Sequence, residues 1–177
     1  MSTYTVHGAT LELLQSNIVD MHVDAIVNAA NAALAGGGGV DGAIHRAGGP
    51  TIMQACRQIG GCPTGSAVAT TAGNLQAHYV FHAVGPIYRQ RDDEAKLLTS
   101  AYQGCLDLAE QHQISSIAFP SISTGVYGYP VEQAAPIALT TVIEHLKQPT
   151  SLQKVLFVLF DSTTYAVYQA AAAKLLA

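Results

Sequence analysis

Residues 23–50 read VDAIVNAANAALAGGGGVDGAIHRAGGP. The first part, residues 24–30, is an apolar run typical of a buried strand. A polar, glycine-rich segment follows it. Residues 41–59 then have helical composition, and Gly48-Gly49-Pro50 predicts that one helix ends there and another begins. A strand that leads through a glycine-rich loop into a helix is typical of α/β proteins, in which ligands bind at the carboxyl ends of parallel strands.

The rest of the chain continues this alternation. An opening pair of strands is predicted at residues 4–7 and 10–15, with Gly8 at the bend. Further strands are predicted at residues 66–71, 79–84, 115–120 and 155–160. Further helices are predicted at residues 92–111, 130–147 and 163–176, with Asp161 or Ser162 as the candidate N-cap of the last. The alternation predicts an α/β fold whose mixed, mostly parallel central sheet has helices on both faces and an antiparallel edge.

The composition limits the class of protein. With 177 residues, 49% hydrophobic and 11% charged, the chain is neither disordered nor large enough for two ordinary domains, so we expect one domain over residues 1–177. A net charge of −4 without a Lys/Arg stripe argues against binding nucleic acid through many phosphates. We expect a cytoplasmic protein with no membrane partner, because the strongest apolar run has six residues and the three cysteines form no CxxC pair.

Two loops that connect a strand to a helix are unusually rich in glycine. The first lies within residues 28–46 and contains four consecutive glycines, and the second spans residues 120–130. Glycine permits close approach of the backbone, and the free N–H groups of a helix N-terminus attract anions. Two such loops facing each other would suit a diphosphate. A merely flexible turn is the alternative, which we disfavour because the glycines lie between the polar residues Asn31 and Asp41.

Polar side chains accompany the first loop. Asp41 and His45 are four residues apart at a predicted helix start, so they share one face of that helix. One interpretation is an Asp that stabilises the helix N-terminus beside a surface His. The other is a carboxylate held by its neighbour and aimed at the mouth of the loop. Asn28 and Asn31 add neutral polar groups, which orient hydroxyls without repelling phosphates.

Several familiar catalytic patterns do not fit. Residues 37–42 match G-x-G-x-x-G, but they lie several residues past the strand, and no acidic residue follows at the required interval. Cys56 and Cys62 have no paired base in the sequence and are predicted to be buried. Ser123 and Thr124 lack a nucleophile elbow, so we interpret them as phosphate-binding residues. No spacing predicts a metal site. The remaining histidines are interpreted as structural or surface residues: His7, His22, His78, His82, His112 and His145.

Five segments together resemble the macrodomain family. They are VDAIVNAAN at 23–31, GGGGVDGAIHRAGGP at 36–50, CPTG at 62–65, HAVGP at 82–86 and AFPSISTGVYGYP at 118–130. Within that family they are similar to the MacroD-type ADP-ribosyl hydrolases. The resemblance implies a three-layer α/β/α fold that binds ADP-ribose. It also implies removal of mono-ADP-ribose from acidic side chains of proteins, and deacetylation of O-acetyl-ADP-ribose, with no cofactor or metal.

The resemblance also implies roles for individual residues. Asn31, Asp41 and His45 fall on the catalytic positions. Tyr127 would cover the distal ribose, and Phe160 and Ile18 would lie on the two faces of adenine. The expected substrate-binding residues are Asn17, Ile18, Asn28, Gly36, Gly37, Gly38, Gly39, Val40, Ser123, Thr124, Gly125, Val126, Tyr127 and Phe160.

One position departs from the family pattern. The chain has Ser16-Asn17-Ile18 where the family usually has Gly-Asp-Ile. In the family the Asp accepts a hydrogen bond from the adenine amino group. The Asn17 side-chain oxygen is still an acceptor, but its bond is not charge-assisted, and charge-assisted bonds are roughly twice as strong. We therefore expect weaker recognition of adenine, with a changed base preference as the less favoured alternative.

The sequence leaves alternative functions open. A non-catalytic ADP-ribose reader would need both glycine loops and the adenine site, but it would not need Asn31, Asp41 and His45 together. A generic nucleotide-diphosphate sensor is a weaker alternative that rests on Asn17. The expected partners are ADP-ribose and either ADP-ribosylated proteins or O-acetyl-ADP-ribose. The acidic net charge disfavours nucleic acid except as an ADP-ribosylated end.

Overall fold

Alternating strands and helices build a single mixed sheet. The computed structural model describes residues 1–176. Its strands are β1 (Ser2–Val6), β2 (Ala9–Gln15), β3 (Ala25–Ala29), β4 (Ala67–Thr71), β5 (Tyr79–Ala83), β6 (Ser116–Phe119) and β7 (Lys154–Leu159). Its helices are α1 (Gly39–Gly48), α2 (Pro50–Ile59), α3 (Glu94–Gln111), α4 (Val131–Leu146) and α5 (Ser162–Leu176), with a short 3₁₀ helix at Ile18–Asp20. Among the helices in this part of the chain, none has the length and apolar character needed to cross a membrane.

The strand order is β1-β2-β7-β6-β3-β5-β4, with parallel pairing in the centre. The predicted antiparallel edge is confirmed, since β1 pairs with β2 through the bend at Gly8. A second antiparallel edge, β4 against β5, was not predicted. Its physical reason is the short connection at residues 72–78, which has no room for the crossover helix that parallel pairing requires.

Helices cover both faces of the sheet, so the three-layer prediction is confirmed. Side chains alternate between the faces along each central strand. On β7, Phe157 packs toward α3, α4 and α5, whereas Leu156 and Val158 pack toward α1 and α2. All three side chains are buried, as expected for a strand covered on both sides. The carboxyl ends of the parallel strands β3, β6 and β7 consequently meet at one edge, where both glycine-rich loops emerge.

A polar clamp fixes the segment between α4 and β7. Glu110, near the end of α3, accepts hydrogen bonds from Ser151 N at 2.9 Å, from His145 Nε2 at 2.6 Å and from the Thr150 hydroxyl. Burial opposes ionisation of Glu110, but the bonds from Thr150, Ser151 and His145 outweigh it and lower the pKa of the carboxyl below its ordinary value. The ionised carboxylate therefore stabilises this connection.

We predict that Glu110→Gln lowers the free energy of unfolding at pH 7 by about 1–3 kcal/mol, because the bonds to an ionised group are lost. The pKa of Glu110 is lowered in the folded state, so this contribution is present above the ordinary pKa of 4.5 and disappears as the pH falls further. Denaturant unfolding should show the wild-type advantage shrinking below about pH 4.5. Glu144→Gln, an exposed control on α4, should change stability by less than about 0.5 kcal/mol. A pH-independent difference for Glu110→Gln would contradict the prediction.

Candidate functional site

A cleft of about 590 Å³ lies between the two glycine-rich loops, at the carboxyl ends of the central strands. Its floor is formed by residues that follow β3, β6 and β7. The residues predicted from sequence that line it are Asn17, Ile18, Asn31, Gly37, Gly38, Gly39, Val40, Asp41, Ser123, Thr124, Gly125, Val126, Tyr127 and Phe160. Three other predicted residues, Asn28, Gly36 and His45, do not line the cleft. Asn28 and His45 contact Asp41, and the carbonyl of Gly36 accepts from Asn31.

Asn31 shapes the first loop. Its side-chain Nδ2 donates to the carbonyl of Gly36 at 2.8 Å, and its Oδ1 accepts from Ala35 N at 3.1 Å. Leu34, which lies between Asn31 and Ala35 in the sequence, has a left-handed φ of 53°. Its buried side chain packs in the core and so anchors the loop. Asn31 therefore both lines the cleft and fixes the loop. Its catalytic role, implied by the family resemblance, stays a prediction.

The start of α1 points its backbone N–H groups toward the cleft. Gly38 is the N-cap and supplies no side chain, so the amides of the first turn have no side-chain acceptor. The loop passes so close to the helix that a Cβ on Gly42 would lie 2.6 Å from the carbonyl oxygen of Gly37. Glycine at position 42 thus permits the loop to fold back over α1. This arrangement is a ready site for an anionic group.

Asp41 is the buried carboxylate of the site, with 6% of its surface exposed. Its Oδ1 accepts from Asn28 Nδ2 at 2.8 Å and lies 3.3 Å from His45 Nε2, on the same face of α1 as their spacing of four predicts. Its Oδ2 lies on the side of Gly37, where a built Cβ would be 3.4 Å away. One carboxylate oxygen is therefore held from behind while the other faces the loop.

The carboxylate of Asp41 affects the pKa of Tyr127. Burial, and then the negative charge of Asp41, raise the pKa of the Tyr127 hydroxyl above its ordinary value. The hydroxyl, which is protonated at neutral pH even at its ordinary pKa, is thereby held still more firmly as a hydrogen-bond donor. Both residues line the cleft, one from each loop.

The second loop is held by two buried tyrosines from different helices. Tyr102 of α3 accepts from Ile122 N at 2.9 Å and donates to the carbonyl of Pro120 at 3.3 Å. Tyr168 of α5 donates to Ser121 Oγ at 2.9 Å. The two bonds of Tyr102 satisfy backbone groups that would otherwise be buried without partners, and the bond of Tyr168 satisfies a side-chain hydroxyl. The second loop is therefore anchored to both α3 and α5.

Ser123 is the strained residue of that loop. Its φ is 68°, a left-handed conformation that is uncommon outside glycine and often marks functional loops. Its Oγ is buried and has no hydrogen-bond partner within residues 1–176. The side chain rests directly on Gly85, where a Cβ would overlap Ser123 Oγ and lie 2.6 Å from Ile122 Cγ2. A glycine at position 85 is thus required for the observed position of the loop.

Apolar residues stand at the opposite end of the cleft. Ile18 is 4% exposed, whereas Phe160 is 74% exposed, and both line the cavity. An exposed aromatic ring at the rim of a cleft is typical of a ligand-binding surface. Asn17 caps the 3₁₀ helix here, because its Oδ1 accepts from Val19 N at 3.3 Å.

Sequence reasoning did not single out every residue that shapes the site. Arg46 lines the cleft as a cation, one residue after the predicted His45. His82 was interpreted as structural or surface. The structure agrees with the structural interpretation, because His82 is buried behind Asn28, together with Thr70. Strand alternation places His82 on the α1/α2 face, but only the pairing of β3 with β5 brings it opposite Asn28. Cys56 and Cys62 are buried, as predicted. No cluster of three or more His, Cys, Asp or Glu side chains in the described chain could hold a metal ion.

The fold and the cleft define a three-layer α/β/α domain with a two-loop ligand site. Comparison with known proteins then identifies the family: residues 27–138 match the Macro domain. The chain belongs to the Macro domain family.

Relatives and solved structures agree with this assignment. A macro domain-containing protein of Caldanaerobacter subterraneus subsp. tengcongensis is 56% identical over 166 residues, covering 91% of this chain and 94% of the relative. The O-acetyl-ADP-ribose deacetylase of Salmonella newport is 53% identical over 163 residues, covering 89% and 91%. The Oceanobacillus iheyensis macrodomain with ADP has a TM-score of 0.95 at 41% identity, covering 98% and 95%. The Trypanosoma brucei macrodomain in complex with ADP-ribose has a TM-score of 0.87 at 39% identity, covering 92% and 68%.

Proposed function

We propose that this chain binds ADP-ribose and hydrolyses esters on its distal ribose. The substrates would be proteins mono-ADP-ribosylated on Glu or Asp, and O-acetyl-ADP-ribose. The observation that carries the proposal is the buried carboxylate of Asp41, held at Oδ1 by Asn28 and His45 and open toward the loop at Oδ2. Relatives at 52–53% identity that are named O-acetyl-ADP-ribose deacetylase support it.

The two loops would hold the diphosphate. The uncapped first turn of α1 offers backbone N–H groups from one side, and the loop Ser123–Tyr127 offers them from the other. Adenine would lie between Ile18 and Phe160, and the distal ribose beside Asn31 and Tyr127. Because Tyr102 and Tyr168 hold the second loop in place, little ordering of the backbone opposes binding.

The reaction adds water across an ester bond and releases a free carboxylate and ADP-ribose. A rigidly held diphosphate and ribose bring the ester next to Asp41, which lowers the entropic barrier. Oδ2 of Asp41 positions or activates the attacking water, and Oδ1 stays bonded to Asn28 and His45. A substrate phosphate oxygen is the other candidate acceptor for the proton of that water. The scheme uses no cofactor or metal.

A non-catalytic reader is the second candidate function. It is favoured by one observation, that both polar groups of Asn31 are bonded within the first loop and so have a structural use. The two functions separate in an assay with O-acetyl-ADP-ribose. Wild-type protein should release acetate at a rate proportional to enzyme concentration. Tight binding of ADP-ribose with no acetate release would favour the reader.

We predict that Asn17→Asp tightens ADP-ribose binding by about fivefold, on the order of 1 kcal/mol, because the acceptor for the adenine amino group becomes charged. Aspartate also retains the cap on Val19 N. Titration calorimetry measures the effect. The gain should vanish with the hypoxanthine analogue, which has no amino group. Equal or weaker binding of ADP-ribose by Asn17→Asp would show that residue 17 is not the acceptor for the adenine amino group.

A further inference from the structure

A chain of buried hydrogen bonds runs from the back of Asp41 into the sheet. Asn28 is fully buried on β3, and β5 places His82 directly opposite it. The Nδ2 of Asn28 lies 2.8 Å from Asp41 Oδ1 and 3.1 Å from His82 Nδ1. One side-chain amide therefore contacts both the carboxylate and the imidazole.

Thr70 and Asn28 together indicate which nitrogen of His82 carries the proton. The Thr70 hydroxyl lies 2.8 Å from His82 Nε2 and 3.0 Å from the carbonyl of Thr71, which can accept its single proton. The NH₂ group of Asn28, 3.1 Å from Nδ1, matches a lone pair there, so Nε2 carries the proton and donates it to the Thr70 oxygen. Burial, and then the proximity of His45, lower the pKa of His82 to about 4, so the ring is neutral at physiological pH.

The lone pair on His82 Nδ1 in turn fixes the amide of Asn28. The NH₂ group satisfies both the carboxylate and the imidazole lone pair, whereas the reversed amide would bring its oxygen 2.8 Å from Asp41 Oδ1. Oδ1 of Asn28 is buried and has no hydrogen-bond partner among residues 1–176. The orientation of the amide is therefore determined at its NH₂ group, by Asp41 and His82 together, and not by a bond to its oxygen.

We propose that Thr70 and His82 are positioning residues for the hydrolysis. They direct the Asn28 amide onto Oδ1 of Asp41 and so leave Oδ2 turned toward the cleft. This inference rests on the proposed function. Neither residue lines the cleft, so neither contributes to ligand binding directly. This series of buried hydrogen bonds therefore affects the turnover rate and not the affinity for the ligand.

Thr70→Val tests the proposal, since it keeps the shape of the side chain and removes the acceptor for His82 Nε2. The other nearby group is Cys56 Sγ at 3.7 Å, a weak acceptor. Nε2–H then keeps only this weak acceptor, so the tautomer with the proton on Nδ1 becomes competitive although it opposes the donor of Asn28. We expect kcat with O-acetyl-ADP-ribose to fall about tenfold or more, the usual scale for supporting residues. KM and the Kd of ADP-ribose should stay within about twofold.

Two variants and one spectrum separate positioning from loss of stability. Thr70→Ser retains the hydroxyl and should rescue kcat. Thr141→Val removes a similarly buried hydroxyl, bonded to the carbonyl of Ile137, in α4 and should leave kcat unchanged. Nitrogen-15 spectra of the histidine rings should show Nε2–H on His82 in wild type and loss of that form in Thr70→Val.

Three outcomes would overturn the inference: unchanged kcat in Thr70→Val, an equal loss in Thr141→Val, or an unchanged His82 tautomer. An inactive wild type would instead contradict the proposed function. The ring spectra would then still decide whether Thr70 sets the proton on His82, because they do not depend on turnover.

Discussion

Asp41→Ala is expected to reduce ester hydrolysis by about 10²–10⁴-fold, the usual contribution of a positioned acid–base group. The affinity for ADP-ribose should be retained, because the loops that would hold the diphosphate keep their own bonds. The substitution also removes a negative charge beside the expected diphosphate, which reduces electrostatic repulsion and so does not weaken binding. Acetate release from O-acetyl-ADP-ribose measures the rate, and calorimetry measures the affinity.

Asp41→Asn is the matched control for packing. It keeps the volume of the side chain and lacks the charge, so it should lose the same rate. Asp41→Ala also leaves the buried Nδ2 of Asn28 with one bond fewer, and thermal unfolding should reveal that cost. If either variant hydrolyses the ester near the wild-type rate, Asp41 does not position or activate the attacking water.

Gly85→Ala is expected to weaken ADP-ribose binding by about fivefold or more. The added methyl would overlap Ser123 Oγ and lie 2.6 Å from Ile122 Cγ2, so the second loop must move. Overpacking of this kind costs about 1–3 kcal/mol, and about 1.4 kcal/mol corresponds to tenfold in affinity. The loop cannot shift freely, because Tyr102 holds Ile122 N. Calorimetric titration with ADP-ribose tests the prediction.

A second substitution checks that the loss comes from the loop. Gly85→Ala combined with Ser123→Gly removes the nearest overlap, and glycine adopts the φ of 68° without strain. Part of the affinity should return, since the overlap with Ile122 remains. No recovery would indicate that Gly85→Ala weakens binding by another route.

Local patterns in the sequence predicted much of the fold and of the cleft wall. The apolar run at residues 155–160 predicted β7, and Gly48-Gly49-Pro50 predicted the break between α1 and α2, because strand burial and helix termination are local effects. The spacing of Asp41 and His45 placed them side by side for the same reason. The two glycine loops predicted the position of the cleft.

The interactions behind the cleft wall depend on contacts between distant residues, which no local pattern predicts. Asn28 and His82 are 54 residues apart and meet only because β3 pairs with β5. Tyr102 reaches the second loop because α3 packs on that face of the sheet. The antiparallel edge at β4 was missed because pairing direction depends on the connection and not on the strand itself.

The proposed hydrolysis of ADP-ribose esters distinguishes this macrodomain from one that only binds the ligand. The most direct test incubates the wild-type chain with a protein mono-ADP-ribosylated on Glu or Asp and measures free ADP-ribose. A protein modified on serine serves as the comparison, because an ether-like glycosidic bond has a poorer leaving group than a carboxylate ester. We predict release from the acidic side chains and little from serine. Tight binding of ADP-ribose without release from either protein would contradict the proposed hydrolysis and favour a reader.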